Sequence, residues 1–128
     1  MIVHKHIIIR AEVAKPLTDK EETRRWIDEL IEKIGMKKLA GPLVEYCEIP
    51  GNRGITSAAV IETSHIAMHV WDETNPGLLQ LDVYSCSELP IDKVVEHIQV
   101  MEPVEIKYKV LDREKNLIVL QDFPGDNT

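Results

Sequence analysis

Apolar and polar residues alternate along several stretches of the chain, and this period of two predicts β-strands. The first stretch, His4–Val13, is rich in β-branched residues and ends before Pro16. Further predicted strands are Lys37–Glu48, Ile55–Glu62, His65–Trp71, Leu78–Ser85, Val104–Leu111 and Asn116–Gln121. Gly41 and Pro42 interrupt the second of these strands.

Two other stretches repeat their apolar residues every three or four positions, which is typical of amphipathic helices. The first predicted helix is Asp19–Ile34, with a capping box formed by the Thr18 hydroxyl and the Glu21 carboxylate. Its apolar positions are Trp26, Ile27, Leu30, Ile31 and Ile34. The second helix is predicted to begin at Pro90 and to stop at Pro103. Its apolar stripe is Val94, Val95, Ile98 and Met101.

The predicted element order is β-α-β-β-β-β-α-β-β, with short joins such as Pro50–Gly54 and Asp112–Lys115. Short joins favour antiparallel pairing, so we expect an α+β two-layer sandwich, a mostly antiparallel sheet with two helices on one face. Residues 1–128 are expected to form a single domain, with a frayed tail at Pro124–Thr128. A homodimer that stacks two sheets would cover the second face of the sheet.

Composition narrows the possible functions. The formal charge of −7 argues against a nucleic-acid or anionic-membrane partner, because phosphate binding needs clustered Lys and Arg. No run approaches the ~18 apolar residues of a membrane span, and the N-terminus lacks a signal-peptide layout. Cys47 and Cys86 do not indicate a disulfide framework, so the cytoplasm is the expected location.

Two histidines share one face of a predicted strand. Alternation places His65 and His69 on the same side as Ala67 and Trp71, about 6.5–7 Å apart at the backbone. One interpretation is a polar strand face that points to solvent. The other is a metal site, zinc for example, with His4 and His6 as further ligands. Because no metal-ligand spacing motif supports that site, we predict no metal.

Ser64, Cys86 and Glu73 are further candidates for chemistry. Ser64 is either a turn former or a nucleophile beside a histidine, but the chain has no Gly-x-Ser-x-Gly elbow, so a Ser-His hydrolase is poorly supported. Cys86 is either an inert small hydrophobe or a proton donor near neutral pH. Glu73 is either a solvated loop carboxylate or a group that pairs with a cationic ligand.

The run Ser64–Glu73, SHIAMHVWDE, followed by Leu81–Cys86, LDVYSC, resembles the prokaryotic S-adenosylmethionine decarboxylases. Their pattern is approximately Glu-Ser-His-hydrophobic-x-hydrophobic-His-x-Trp-Pro-Glu, then Asp-hydrophobic-aromatic-Thr-Cys-Gly. The resemblance covers Gly54–Cys86 well and extends more loosely to His6–Glu12. The combination of Ser-His-x-x-x-His-x-Trp with a downstream Asp-x-x-x-Cys is fairly specific.

This resemblance implies a proenzyme that cleaves its own backbone between Thr63 and Ser64. Attack of the Ser64 hydroxyl on the Thr63 carbonyl gives an ester, and elimination then leaves a pyruvoyl group derived from Ser64. That group forms a Schiff base with the substrate amine and acts as an electron sink during decarboxylation. The implied activity is a carboxy-lyase that makes the aminopropyl donor for spermidine and other polyamines from S-adenosylmethionine. The implied assembly is a homodimer of processed protomers.

The resemblance also implies roles for individual residues. His69 matches the proton acceptor in processing, and Cys86 matches the proton donor to the substrate carbon. Thr56 stands where the family has a serine used in processing. Glu73 matches the active-site glutamate, and His65 is placed in the same pocket.

Several positions depart from the family pattern. Thr63 replaces a glutamate before the cleavage site, Asp72 replaces a proline, Ser87 replaces a glycine, and the Asp72–Leu81 loop is longer. These changes border the pocket, so a pyruvoyl decarboxylase of another amino acid, ornithine or arginine, is an alternative. Thr63 and Thr56 leave open a third hypothesis, an unprocessed, non-catalytic homologue that binds a ligand or regulates a partner subunit.

Overall fold

This computed structural model describes residues 3–125, which contain seven strands, two α-helices and a short 3-10 helix, Gln99–Met101, that follows the second α-helix. In chain order the elements are β1 (Lys5–Val13), α1 (Lys20–Lys33), β2 (Lys38–Cys47), β3 (Gly54–Ile61), β4 (Ser64–Trp71), β5 (Gly77–Ser85), α2 (Ile91–Ile98), β6 (Pro103–Asp112) and β7 (Val119–Phe123). The strands form one sheet in the order β2-β3-β4-β5-β1-β6-β7, and every neighbouring pair is antiparallel. Of the tail predicted to fray, Pro124–Thr128, residues 126–128 lie outside the described residues.

Both helices lie on one face of the sheet, and the core fills the space between the two layers. Successive strand residues point to opposite faces, so Ile7 and Ile9 of β1 and Met68 of β4 are buried beneath Leu30 of α1 and Ile98 of α2. The predicted α+β two-layer sandwich is therefore confirmed. The other side of the sheet, the open face, carries His6, Ile8, Arg10, Thr56, His65, Ala67, His69, Gln80, Asp82 and Lys107. Within the described residues, no helix is both long and apolar enough to cross a membrane.

The predicted capping box at the start of α1 is wrong by one residue. Asp19, not Thr18, is the N-cap: its backbone is extended, with φ −96° and ψ 131°, and its carboxylate accepts the Glu22 amide at 2.9 Å. The Thr23 hydroxyl donates to the Asp19 carbonyl at 2.8 Å. A carboxylate caps a helix as well as a hydroxyl does. Its negative charge also interacts favourably with the positive N-terminal end of the helix dipole.

The last hairpin also differs from the prediction, because its turn runs from Arg113 to Ile118 and β7 is Val119–Phe123 rather than Asn116–Gln121. The cause is Asp112, whose carboxylate is buried at the end of β6. It accepts three backbone amides within 3.1 Å, those of Glu114, Lys115 and Asn116. These bonds, the one from Asn116 above all, lower the pKa of Asp112. Because these three amides bind one carboxylate, residues 114–116 form part of the turn, and β7 begins only at Val119.

A reciprocal pair of hydrogen bonds joins the two helices. The Trp26 indole Nε1 donates to the His97 carbonyl at 3.0 Å, and His97 Nε2 donates to the Trp26 carbonyl at 2.7 Å. The two rings lie 4.4 Å apart, and His97 is only 8% exposed. Burial lowers the pKa of His97 because it penalises the charged imidazolium.

We therefore expect the protein to lose stability as the pH falls below about 6.5, the usual pKa of a histidine in an unfolded chain. Below that pH the unfolded chain takes up a proton at His97 that the folded chain resists, so acid favours unfolding. Thermal unfolding followed between about pH 7 and 5 should show the loss. The variant His97→Gln keeps a donor for the Trp26 carbonyl but does not titrate, so its profile should be flatter. Equal slopes for the two proteins would contradict this role for His97.

Candidate active site

A tight turn joins β3 to β4, and it consists of Glu62 and Thr63 alone. Thr63 has φ +44°, in the left-handed region where a β-branched residue is an outlier. Such a conformation costs of the order of 1–3 kcal/mol and persists only where the surrounding structure holds it. Ser64 follows as the first residue of β4, so its peptide bond to Thr63 lies at the rim of the sheet.

Hydrogen bonds link three residues at this turn, Thr63, Ser64 and Cys86. We call them the turn cluster. The Cys86 amide donates to Ser64 Oγ at 2.9 Å, and Thr63 Oγ1 donates to Cys86 Sγ at 2.8 Å. Cys86 Sγ also lies 3.4 Å from the Glu62 carbonyl. The hydroxyls of Ser64 and then Thr63 lower the pKa of the Cys86 thiol. A lowered pKa makes a partly exposed thiol more readily ionised than a free cysteine.

A second group lies on the open face at the opposite end of the β3–β4 hairpin. This imidazole cluster is Thr56, His69 and Trp71. Thr56 Oγ1 lies 3.2 Å from His69 Nδ1, and the His69 ring lies 5.9 Å from the Trp71 ring. Trp71 Nε1 donates in turn to Asn52 Oδ1 at 2.7 Å. The threonine hydroxyl and the indole ring flank the His69 imidazole and restrict its orientation.

Glu73 adjoins the imidazole cluster and holds the turn before β3. Its two carboxylate oxygens accept the amides of Arg53 at 2.8 Å and of Gly51 at 3.1 Å. These two backbone bonds lower the pKa of Glu73. The turn packs so closely on β4 that a Cβ at Gly54 would lie 1.8 Å from the Val70 carbonyl oxygen, so only glycine fits there.

The two clusters do not meet within one chain. Ser64 and His69 lie on the same strand but on opposite faces, because Ser64 is buried on the helix side whereas His69 is on the open face. Five positions of an extended strand separate their backbones by about 16 Å. The structure therefore places the residues that the sequence analysis grouped together in two half-sites, with Thr63, Ser64 and Cys86 in one and Thr56, His69 and Glu73 in the other.

A third polar group, which the sequence analysis missed, crosses the open face. Asp82 Oδ1 accepts from His6 Nε2 at 2.9 Å and from His65 Nε2 at 3.1 Å. Burial alone would raise the pKa of Asp82, but the two imidazoles hold it below its usual value. His65 therefore belongs to this group rather than to either half-site. Finding it requires the register of β1 against β5, which periodicity does not reveal.

In the described residues, His6, His65 and Asp82 are the group whose ligand atoms lie close enough, within 4.8 Å, to hold a metal ion. Arg113 works against that use, because its guanidinium donates to His6 Nδ1 at 2.8 Å. Arginine only donates, so Nδ1 accepts and Nε2 carries the proton that is given to Asp82. A metal on Nε2 would need the opposite tautomer. His4, which the metal interpretation also included, lies instead 3.4 Å from the Tyr84 hydroxyl.

Comparison with known proteins decides the family. The sequence profile described as S-adenosylmethionine decarboxylase matches residues 5–114. The chain belongs to the S-adenosylmethionine decarboxylase family. An S-adenosylmethionine decarboxylase proenzyme from Archaeoglobus fulgidus is 29% identical over 117 residues, which are 88% of this chain and 99% of that protein. One from Persephonella marina is 30% identical over 95 residues, covering 73% of this chain and 67% of that protein.

The fold is also that of this family. The crystal structure of the adenosylmethionine decarboxylase from Aquifex aeolicus superimposes with a TM-score of 0.70 at 19% identity. The match covers 88% of this chain and 91% of that one. The resemblance drawn from the Ser-His-x-x-x-His-x-Trp run is therefore confirmed, and so is the fold that it implied. In this S-adenosylmethionine decarboxylase homologue, the turn cluster occupies the position at which the family pattern places its serine and cysteine.

Proposed function

We propose that this chain is the self-processing proenzyme of a pyruvoyl-dependent decarboxylase that acts on S-adenosylmethionine and supplies the aminopropyl donor for polyamine synthesis. The observation that carries the proposal is the turn cluster: a serine hydroxyl, held by the Cys86 amide at 2.9 Å, directly follows a residue with φ +44°. The proenzyme names of the Archaeoglobus and Persephonella relatives support it.

Self-cleavage would proceed through an ester between Thr63 and Ser64. Ser64 Oγ attacks the Thr63 carbonyl carbon, the peptide C–N bond breaks, and the nitrogen of Ser64 takes up a proton, which leaves an ester. Loss of the Ser64 Cα proton then breaks the Cβ–Oγ bond and releases Thr63 as a carboxylate. Water replaces the nitrogen, which departs as ammonia. The strained backbone at Thr63 relaxes when the peptide bond breaks, and this favours the first step.

The residues present fit a pyruvoyl group at position 64. Ser64 is 7% exposed, begins a strand after a turn and has a thiol beside it, so a group formed there is shielded from bulk water. A pyruvoyl group held there would supply a ketone for a Schiff base with the substrate amine and an electron sink for decarboxylation. Cys86 donates the proton that replaces that carboxylate. Thr56 orients His69, which accepts a proton during processing.

We further propose a homodimer in which two open faces stack. In an isologous dimer, a two-fold axis between the faces and perpendicular to β4 lays the start of one β4 over the end of the other. The turn cluster of one protomer then approaches His69 of the partner subunit. The open face suits such a contact: Ile8 is 40% exposed on it, and it holds a groove of about 760 Å³. The groove is lined in part by Arg10, Ala67, His69, Gln80 and Lys107.

Charge near the imidazole cluster supports a cationic substrate. Glu73, with its lowered pKa, is ionised at neutral pH, and S-adenosylmethionine carries a sulfonium. Asp72 adds a second carboxylate, which accepts the Tyr46 hydroxyl at 2.8 Å and 3.0 Å. That extra acid favours ornithine or arginine as the second candidate substrate. Cys47 and Cys86 are both free thiols, and this agrees with a cytoplasmic location.

A denaturing mass spectrum of the purified protein tests self-processing directly. We expect two pieces, residues 1–63 and 64–128, the second with an N-terminus that reacts with carbonyl reagents. Substrate labelled in its carboxylate should then release labelled carbon dioxide from S-adenosylmethionine and not from ornithine or arginine. One intact chain would refute the proposal and favour the unprocessed homologue. Two pieces without release from S-adenosylmethionine would keep the pyruvoyl enzyme and exclude this substrate.

A further inference from the structure

In the uncleaved chain, Thr63 contacts Cys86 through its side chain. Thr63 Oγ1 donates to Cys86 Sγ at 2.8 Å, so the sulfur accepts this shorter bond, while the thiol donates to the Glu62 carbonyl at 3.4 Å. A hydroxyl that donates to sulfur stabilises the thiolate more than the thiol. The hydroxyls of Ser64 and Thr63 accordingly lower the pKa of Cys86 before cleavage. The reaction of the mature enzyme needs the opposite form, because only a thiol can give a proton to the substrate carbon.

Cleavage changes the surroundings of Cys86 while leaving the Thr63 hydroxyl in place. When the Cβ–Oγ bond of Ser64 breaks, Oγ leaves as one of the two oxygens of the new Thr63 carboxylate. That oxygen is the atom that accepts the Cys86 amide at 2.9 Å in the uncleaved chain. The carboxylate therefore forms against the backbone of Cys86, and the Ser64 hydroxyl disappears. A new negative charge and a lost donor both disfavour a thiolate.

We propose that Thr63 is the positioning residue that sets the protonation state of Cys86, favouring the thiolate through its hydroxyl before cleavage and the thiol through its new carboxylate afterwards. The proposal rests on the proposed self-processing. It gives Thr63, which replaces a glutamate of the family pattern, two successive roles at the same sulfur. Self-cleavage thereby prepares the proton donor in the same event that forms the ketone.

The hydroxyl role can be read without any cleavage. In a Ser64→Ala, Cys47→Ser chain, Cys86 is the one remaining thiol, and its alkylation by iodoacetamide can be followed against pH by mass. Thr63→Val removes the hydroxyl but keeps the branched shape, and we expect alkylation at pH 7 to slow several-fold, up to about tenfold. Thr63→Ser should restore the rate, and Thr63→Ala serves as a second hydroxyl-free variant should the valine chain not fold. The hydroxyl role would be overturned if the parent chain, Thr63→Ser and the hydroxyl-free variants were all alkylated at the same rate.

The carboxylate role is read in the processed protein. With Cys47→Ser alone, the alkylation midpoint of the cleaved protein should lie at higher pH than that of the uncleaved Ser64→Ala chain. A midpoint that is unchanged or lower would overturn the switch. A chain that never cleaves would refute the proposed function and the switch with it. The alkylation rates of the Thr63 variants in the uncleaved Ser64→Ala chain do not depend on cleavage. Failure of self-processing and failure of the hydroxyl role are therefore distinguishable.

Discussion

Replacing Ser64 with alanine is expected to leave one full-length chain of 128 residues and to abolish decarboxylation completely. The alanine has no oxygen to attack the Thr63 carbonyl, so neither the ester nor the ketone derived from it can form. The fold should persist, because the loss is one hydrogen bond from the Cys86 amide at the rim of the sheet. Intact mass and release of labelled carbon dioxide measure the two effects on the same sample.

Ser57→Ala is the matched control, because Ser57 lies on β3 of the same hairpin and is also buried. Within residues 3–125, its hydroxyl has one hydrogen-bond partner, the Met68 carbonyl at 3.2 Å. This variant should cleave and turn over substrate, with a modest loss of stability of about 1 kcal/mol. Cleavage of Ser64→Ala between residues 63 and 64 would mean that another group supplies the nucleophile, and the turn cluster would lose its assigned chemistry.

Mixing two inactive variants should restore activity, because each half-site of the proposed dimer comes from a different protomer. Ser64→Ala damages the turn cluster, and His69→Ala damages the imidazole cluster. In a mixed dimer one composite site carries both substitutions and the other carries neither. Co-expression in equal amounts should therefore recover about a quarter of the wild-type sites, since half of the dimers are mixed and each has one intact site.

The control for this experiment is co-expression of Ser64→Ala with Cys86→Ala. Both substitutions lie in the turn cluster, so every composite site of the mixed dimer keeps one of them, and no activity should return. Recovery in that pair would show that the residues are distributed differently. Failure of the Ser64→Ala and His69→Ala pair, in a protein that sediments as a dimer, would refute the shared site. A monomer with full activity would refute the dimer.

Local periodicity accounts for most of the elements. Trp26, Leu30 and the other apolar positions of α1 recur every three or four residues, and tertiary packing agrees with that period. The hairpin end at Ile118 was not predictable in the same way, because it depends on three amides converging on the Asp112 carboxylate. The position of β1 between β5 and β6 was not predictable either, because it depends on pairing between residues far apart in the chain.

For the candidate site, too, the sequence indicated what depends on neighbouring residues and missed what depends on strand pairing. The order of Ser64, His69 and Cys86 along the chain was enough to indicate a family, because a motif records residue types and spacing. Alternation placed His65 and His69 on one face, but the predicted strand began at His65, so the sequence did not show that Ser64 is its first residue and lies on the opposite face. It also did not show Asp82 between His6 and His65, because that contact needs three strands in register.

The interleaved strand order has a thermodynamic consequence for a chain cut between Thr63 and Ser64. The first piece holds β1, α1, β2 and β3, yet β1 pairs with β5 and β6 of the second piece, and β3 pairs with β4. Neither piece can leave without opening the sheet and the core that they share. Unfolding of the cut protein then releases two molecules instead of one, so mass action makes its melting temperature rise with protein concentration. In the proposed homodimer an uncut pair unfolds to two molecules and a cut pair to four, so the melting temperature of the cut protein should depend more steeply on concentration. The slopes of two dilution series separate the two forms.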